Sequence, residues 1–156
     1  MFKWLAEKLI NRAMSTPYFH LFKPDGSAYM LRYWLLPYNR WIPAARIHFI
    51  QASDSDRAFH DHPWSYLTII LKGGYYEVKP MFDKSGLYLG DSRVYYGAGS
   101  VLLRGAKSWH RLELANNEGA VTLFITGKYI QKWGFMENPK NKIAYTEYLN
   151  GMEQES

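Results

Sequence analysis

The stretch AFHDHPW at residues 58–64 places two of the chain's five histidines one residue apart. Side chains two positions apart on a β-strand lie on the same face, so His60 and His62 can point into one cavity while Asp61 points away. Two neutral imidazoles on one strand are a geometry that metal ions use. A third ligand must then come from another strand, and His110 is the candidate.

The composition restricts the class of protein. The chain has 156 residues and no internal repeat, which indicates one domain. Hydrophobic residues make up 47%, which excludes a disordered chain, and the 17% of aromatic residues suits strands around an aromatic-lined pocket. Because there is no cysteine, disulfides and thiolate metal sites are excluded.

Charge and hydropathy bear on partners and location. The net charge of +5 comes from scattered basic residues, which indicate a solvated surface and permit nucleic-acid binding without favouring it. No segment reaches the roughly 18 apolar residues of a membrane span, and the N-terminus lacks the unbroken apolar core of a signal peptide. We therefore expect a cytoplasmic protein without a membrane partner.

The N-terminal segment has the spacing of an amphipathic helix. Phe2, Leu5, Leu9 and Ile10 recur at helical intervals over residues 2–14. Packing against the rest of the fold is favoured over a role at a membrane surface.

The pattern then changes to short strands separated by turns. Strands are expected over residues 29–36, 46–51, 58–71, 75–81, 93–96, 100–104, 109–114 and 121–126. Pro63 interrupts the third of these strands, and Gly73-Gly74 is expected to end it. Turn signals about every 8 to 12 residues are typical of a sandwich or barrel. Residues 141–150 are expected to form a short helix with Gly151 as its cap.

The histidine-bearing segments resemble the two motifs of the cupin superfamily. The first motif reads G-x5-H-x-H-x3-E-x6-G. With its histidines on His60 and His62, the last glycine matches Gly73, whereas the glutamate position holds Tyr66 and the first glycine position holds Asp54.

The second motif, G-x5-P-x-G-x2-H-x3-N, matches at two positions. With its histidine on His110, the first glycine falls on Gly99. The proline, second glycine and asparagine positions hold Gly105, Lys107 and Leu114.

The resemblance implies an all-β, single-domain cupin-type barrel (a jelly roll or double-stranded β-helix). Residues 1–20 would form the helix and its lead-in, residues 21–140 the barrel, and residues 141–156 a C-terminal helix and tail. The HDHPW and GGYYE segments are also similar to those of small bacterial and bacteriophage cupins, a group from which no activity carries over. Cupins are commonly dimers, so the resemblance implies a homodimer.

The resemblance also implies a metal cofactor. Similar three-histidine sites occur in cupins that bind iron and oxidise thiols with dioxygen. Iron is therefore the favoured divalent ion for His60, His62 and His110, with zinc, nickel, manganese and copper as alternatives. Because the motif's glutamate is missing, the ion would keep its full positive charge and favour a small anionic substrate.

Three further residues are candidates for the chemistry. Tyr66 shares the inward face of the histidine pair, so its phenol would stand near the metal. Glu77 is the alternative carboxylate ligand, with exposure at the surface as the competing interpretation. Arg104 could bind a substrate carboxylate at the barrel mouth through its guanidinium fork.

Three other side chains are candidates for the pocket lining. His48 is expected either in the pocket or as a structural histidine, and Trp64 and Trp109 either line the pocket or pack in the core.

Three functions compete at this stage. The favoured one is a dioxygenase-like metalloenzyme that acts on a small anionic molecule. The second is a metal-independent sugar-nucleotide epimerase or isomerase, with His62 as base and Tyr66 as acid. The third is a non-catalytic module that binds a small molecule or nucleic acid. The motifs H-E-x-x-H, G-x-S-x-G and the P-loop are absent, which sets those chemistries aside.

Overall fold

The computed structural model describes residues 2–23, 26–36, 43–54, 58–138 and 141–148. One helix precedes ten strands, which confirms the predicted all-β class. The elements are α1 (Phe2–Ala13), β1 (Leu21–Phe22), β2 (Ala28–Leu36), β3 (Ala44–Ile50), β4 (Tyr66–Phe82), β5 (Tyr88–Gly97), β6 (Val101–Arg104), β7 (Arg111–Leu114), β8 (Ala120–Thr126), β9 (Gly134–Asn138) and β10 (Asn141–Ala144).

The long strand β4 joins the two sides of the barrel. Its first part pairs with β6 and β8, and its second part pairs with β5 and β7, all antiparallel. The sheet continues from β8 through β3 and β2 to β1. Because one strand takes part in pairings on both sides, side chains from its two halves can meet in the interior.

The predicted strand end at Gly73-Gly74 is wrong. The chain bends there and continues as one strand, because Gly73 has a φ of +67° that a residue with a side chain would adopt only with strain. A Cβ at this position would also clash with the carbonyl oxygen of Gly119. The glycine therefore allows β4 to continue through this point, just after a register shift between Ile70 and Lys72, and the strands predicted on either side of it are one element.

Most of the other predicted strands agree with the structure to within two residues at each end. The strand predicted over residues 93–96 is longer, since β5 begins at Tyr88. The first part of the strand predicted over residues 58–71 is wrong. Only an isolated bridge at His60 interrupts the irregular segment before Tyr66.

Helix α1 packs on the outer face of the sheet. Ala6 and Ala13 are buried against Tyr33, Ile47 and Leu71. Leu9 and Ile10 also contact this cluster, as the helical spacing predicts, whereas Phe2 and Leu5 are exposed. The buried stripe is therefore built around two alanines, whose small side chains allow the helix to approach the sheet closely.

Strand β3 shows how the sheet separates its two faces. Ile47 is fully buried beneath the helix, while Arg46, His48 and Ile50 line a cavity on the opposite face. This alternation follows from the two-residue period of a strand. The interior of the barrel therefore carries polar and charged side chains as well as apolar ones.

The predicted C-terminal helix is wrong over its first four residues. Asn141–Ala144 pairs with Gly134–Asn138 as a hairpin, and only residues 145–148 form a helical turn. The rest of the predicted helix and its Gly151 cap lie outside the described residues. Within the part of the chain that the structure describes, no helix is long and apolar enough to cross a membrane.

Candidate metal centre

Backbone hydrogen bonds bring the two histidine segments together. The His60 N–H donates to the His110 carbonyl at 2.9 Å, and the His110 N–H donates back at 3.1 Å. The His62 N–H donates to the Ala106 carbonyl at 3.0 Å. These contacts hold the irregular stretch at residues 58–65 against the segment before β7, so its histidines face the barrel interior without a continuous strand.

The three predicted histidines converge on one point. One ring nitrogen from each of His60, His62 and His110 lies within 4.8 Å of the others, and the Nε2 atoms of His62 and His110 are 2.9 Å apart. Two nitrogens that bind one ion at ~2.1 Å and at right angles would lie ~3 Å apart. The nitrogens of His62 and His110 therefore have the spacing of two ligands on one ion, and the nitrogen of His60 lies within 4.8 Å of both.

The ionisation of His62 suits a ligand. Burial lowers its pKa well below the ordinary value, and the neighbouring His110 and His60 lower it further. A neutral imidazole keeps a lone pair for coordination, so no proton need be displaced from this side chain at neutral pH.

Glu77 lies behind His110, on the side away from the other two histidines. Its Oε1 is 3.2 Å from the Nδ1 of His110, and its side chain is buried. The surface alternative is therefore wrong, and Glu77 does not belong to the group of converging ligand atoms. It occupies the position of a carboxylate that orients a metal-binding histidine.

Glu77 also sets the tautomer of His110. Burial raises the pKa of Glu77, but hydrogen bonds from His110 and Arg104 outweigh that effect and hold this pKa at about 2. An ionised carboxylate only accepts hydrogen bonds, so the Nδ1 of His110 must carry the hydrogen. In neutral His110 this leaves the Nε2 lone pair directed at His62 and the centre of the cluster.

Arg104 supplies the counter-charge for Glu77. Its Nη2 donates to Oε2 of Glu77 at 2.6 Å, and its Nε lies 3.0 Å from Oε1. Lys79 lies 3.3 Å from the same carboxylate. The described partner of Arg104 is thus a protein carboxylate, and its contact with a substrate stays a prediction.

Tyr66 stands beside the cluster, as its strand parity predicts. Its hydroxyl is 3.2 Å from the Nε2 of His110, and its ring lies 4.4 Å from that of His62. Burial raises the pKa of Tyr66 well above the ordinary value, and the charge of Glu77 raises it further. The phenol therefore keeps its proton and can donate a hydrogen bond into the cavity.

A cavity of about 230 Å³ lies next to the histidines. His48 and Trp64 line it, as does Arg46, whereas Trp109 is not among its lining residues. Sequence reasoning overlooked Arg46, although it shares a strand face with His48 and the same parity rule could have found it.

Asp61 points away from the cavity, as its position between two inward histidines predicts. It accepts hydrogen bonds from the Gly134 N–H at 2.8 Å, Gln131 Nε2 at 2.9 Å and Lys142 Nζ at 2.6 Å. The carboxylate therefore ties the histidine stretch to the β9–β10 hairpin. Sequence reasoning found its direction and missed these partners, which are distant along the chain.

No protein-family model matches the chain, and no curated protein matches it. Solved structures with a similar fold do exist. One is an RmlC-like cupin protein from Ralstonia eutropha, with a TM-score of 0.55 and 16% identity over 90% of this chain and 80% of that chain.

One further similar structure is named as a lyase, and another is named with iron(II). The DMSP lyase DddQ from Ruegeria pomeroyi has a TM-score of 0.57 and 14% identity over 87% of this chain and 68% of that one. FeII HppE has a TM-score of 0.56 and 14% identity over 73% of this chain. The match spans just over half of HppE, 57% of its length. Sequence identities this low support a shared fold and no further property.

Proposed function

We propose that this protein, a cupin by its fold, holds one divalent transition metal ion with His60, His62 and His110. The observation that carries the proposal is the convergence of three ring nitrogens within 4.8 Å in the barrel interior. The ionised Glu77 behind His110 supports it, because a metal-binding histidine usually donates its second N–H to such a group.

Iron is the favoured ion, and a small anionic molecule is the favoured substrate. Among the similar structures, HppE is named as an iron(II) protein, which supports the choice of iron. When bound, iron would polarise a substrate and supply chemistry with dioxygen, and the activity we propose is dioxygenase-like. The three imidazoles are neutral ligands, so the site would keep a positive charge and attract an anion.

The protein's own side chains then have separate tasks. The histidines hold the ion, and Glu77 fixes the ring of His110. The protonated hydroxyl of Tyr66 donates a hydrogen bond to a ligand bound beside His110.

Elemental analysis of untagged protein tests the metal. The expected result is about one transition metal ion per chain in the wild type and its loss in His60→Ala and His62→Ala. His20→Ala is the matched control, because His20 stacks on Tyr18 at a distance from the cluster and should leave the metal content unchanged. Wild-type protein that stays metal-free after incubation with iron(II) and zinc would contradict the proposal.

Oxygen uptake tests the proposed dioxygenase-like activity and its small anionic substrate. Iron-loaded protein would be assayed with a panel of small acids, including acids that carry a thiol group. Uptake that depends on one acid and on His110 supports dioxygenase-like chemistry. No uptake from fully loaded protein across the panel counts against it.

A metal-independent isomerase is the second candidate, favoured by one observation. Glu77, His110 and Tyr66 form a continuous carboxylate–imidazole–phenol chain with contacts of 3.2 Å at each step. Such a chain can move a proton between a base and an acid. Deuterium incorporation from solvent into a nucleotide sugar, undiminished by a strong chelator, would favour this candidate.

A further inference from the structure

A wall of two arginines and one histidine faces the cavity from the side of β2 and β3. Burial, together with the charges of Arg46 and Arg32, lowers the pKa of His48 well below its ordinary value, so the two arginines carry the positive charge of the wall. Arg46 and His48 lie on the inward face of β3, and Arg32 stands opposite His48 on β2. All three side chains line the same cavity as the histidine cluster. This wall is separate from the metal ligands, which come from residues 60–62 and from His110.

Among the described residues, no carboxylate pairs with Arg46. It is only 6% exposed, and no ion pair among the described residues involves it. Its Nε and the Nε2 of His48 are buried with no hydrogen-bond partner within the described part of the chain. Burial, together with the charge of Arg32, lowers the pKa of Arg46 to about 10, so it remains charged at neutral pH.

The described acidic side chains that line this cavity already accept hydrogen bonds from other protein groups. Glu77 accepts from Arg104 and His110. Asp54 accepts from the hydroxyl of Tyr29 and from the N–H of Leu112. A buried cation without a partner is costly, so the wall is suited to a negative group that arrives from outside the chain.

Aromatic rings hold the wall in place. The guanidinium of Arg46 lies 3.9 Å from the ring centre of Trp34 and 5.5 Å from that of Trp64. The ring of His48 stacks on Phe124 at 4.8 Å. Stacked faces leave the edges of these groups free to donate hydrogen bonds to a planar or tetrahedral oxyanion.

We propose that Arg46, with His48 beside it, is an anion receptor that binds the carboxylate or phosphate group of a small acid. The other end of that acid reaches the three histidines, and this second contact rests on the proposed function. The ring of Phe124 lies 4.8 Å from His48 and 6.1 Å from His62, so one aromatic ring separates the two ends. A cavity of about 230 Å³ is smaller than the usual drug-sized pocket of about 300–1,000 Å³, which favours a compact acid over a nucleotide.

The receptor is tested with inorganic phosphate as the probe, in titration calorimetry on the purified full chain. Wild-type protein should bind one phosphate per chain, and Arg46→Gln should weaken binding at least tenfold with its metal content unchanged. Arg93→Gln is the matched control, because it removes the same charge from an exposed arginine paired with Glu113. Arg46→Lys should retain part of the affinity, since it keeps the charge without the fork.

Phosphate binding that is unchanged in Arg46→Gln, or absent in the wild type, overturns the receptor. If Arg46→Gln fails to fold, the Nε–Hε signal of Arg46 in the NMR spectrum of the wild type takes its place. That signal should shift as phosphate is added, and a signal that stays fixed at saturating phosphate overturns the proposal.

Metal content measured on the same preparations separates the two proposals. His110→Ala should lose the metal and keep phosphate binding that depends on Arg46. A wild type that binds phosphate through Arg46 but holds no metal would sustain the receptor and refute the proposed function. Phosphate binding lost in His110→Ala and kept in Arg46→Gln would place the anion at the metal and overturn the receptor.

Discussion

The two ends of the cavity differ in how their charges are balanced. At the histidine end, His110 is paired with Glu77, and Glu77 is paired with Arg104. At the β3 end, Arg46 and His48 each keep a buried nitrogen with no hydrogen-bond partner within the described residues. Described protein partners balance the first end, whereas in the receptor that we propose a bound anion balances the second.

This difference indicates that the two ends of the cavity have different functions. Groups that must stay fixed are held by protein partners, since a balanced network is rigid and resists substitution. Groups that must receive a ligand are left without partners, at a cost in stability that binding recovers. The cavity therefore has one end suited to a metal ion and another suited to an anion.

At the histidine end of the cavity, the largest loss of stability is expected from Asp61→Ala. This change removes a buried carboxylate that accepts hydrogen bonds from Gly134, Gln131 and Lys142. The Gly134 N–H loses this acceptor, and Gln131 and Lys142 keep only backbone carbonyls as acceptors. The free energy of unfolding should fall by about 3 kcal/mol, measured by urea denaturation. Asp91→Ala, at an exposed ion pair, should cost less than about 1 kcal/mol. Equal losses in the two variants would show that the Asp61 contacts do not hold the histidine stretch.

Glu77→Gln is expected to have the next largest effect. The amide cannot supply the negative charge that orients His110, so metal affinity should fall about 10- to 100-fold. Competition with a chromophoric chelator measures the change. Glu113→Gln removes an exposed carboxylate and is the control that should leave the affinity unchanged. An affinity in Glu77→Gln equal to that of the wild type would mean that the balanced network has no bearing on the metal.

Tyr66→Phe is expected to have a smaller effect. In the metal-free protein it removes the hydrogen bond between the hydroxyl and the Nε2 of His110, which should lower the free energy of unfolding by about 1 kcal/mol. The variant should still bind the metal. Chemical denaturation of the metal-free form and elemental analysis of the metal-loaded form provide the two readings. Tyr129→Phe, at a half-exposed ring, should change neither quantity. Loss of the metal from Tyr66→Phe would make the phenol a ligand rather than a neighbour.

The smallest effect is expected from His48→Phe, at the unbalanced end. The substitution keeps a ring against Phe124 and removes a buried nitrogen without a partner. The free energy of unfolding should stay the same or rise by up to about 1 kcal/mol in thermal or urea unfolding. A loss above about 2 kcal/mol would show that His48 already has a structural partner and that the two ends do not differ as described.

The sequence predicted the histidine cluster because two simple rules applied. Strand parity predicted that His60 and His62 share a face, and His110 stands at a motif spacing from a matching glycine. The prediction of a shared face is confirmed although residues 58–65 form no continuous strand, because backbone hydrogen bonds to Ala106 and His110 hold the segment in place. The same parity placed Tyr66 beside the histidines.

The role of Glu77 could not be predicted in the same way. It depends on the bend at Gly73, which carries β4 from one set of partners to another, and on the pairing that brings Arg104 opposite Tyr66. Neither contact is local in sequence. The strand at Asn141–Ala144 was missed for a different reason. Its partner Gly134–Asn138 is close in sequence, but the residues of the strand carry no strong strand pattern.

The most direct test of the metal centre is a crystal structure of iron- or zinc-loaded protein with data collected at the metal absorption edge. The predicted result is one anomalous difference peak at ~2.1 Å from a ring nitrogen of each of His60, His62 and His110, with Glu77 still on the Nδ1 of His110. A metal peak elsewhere, or a fully loaded protein in which one of these three rings lies away from the ion, would contradict it.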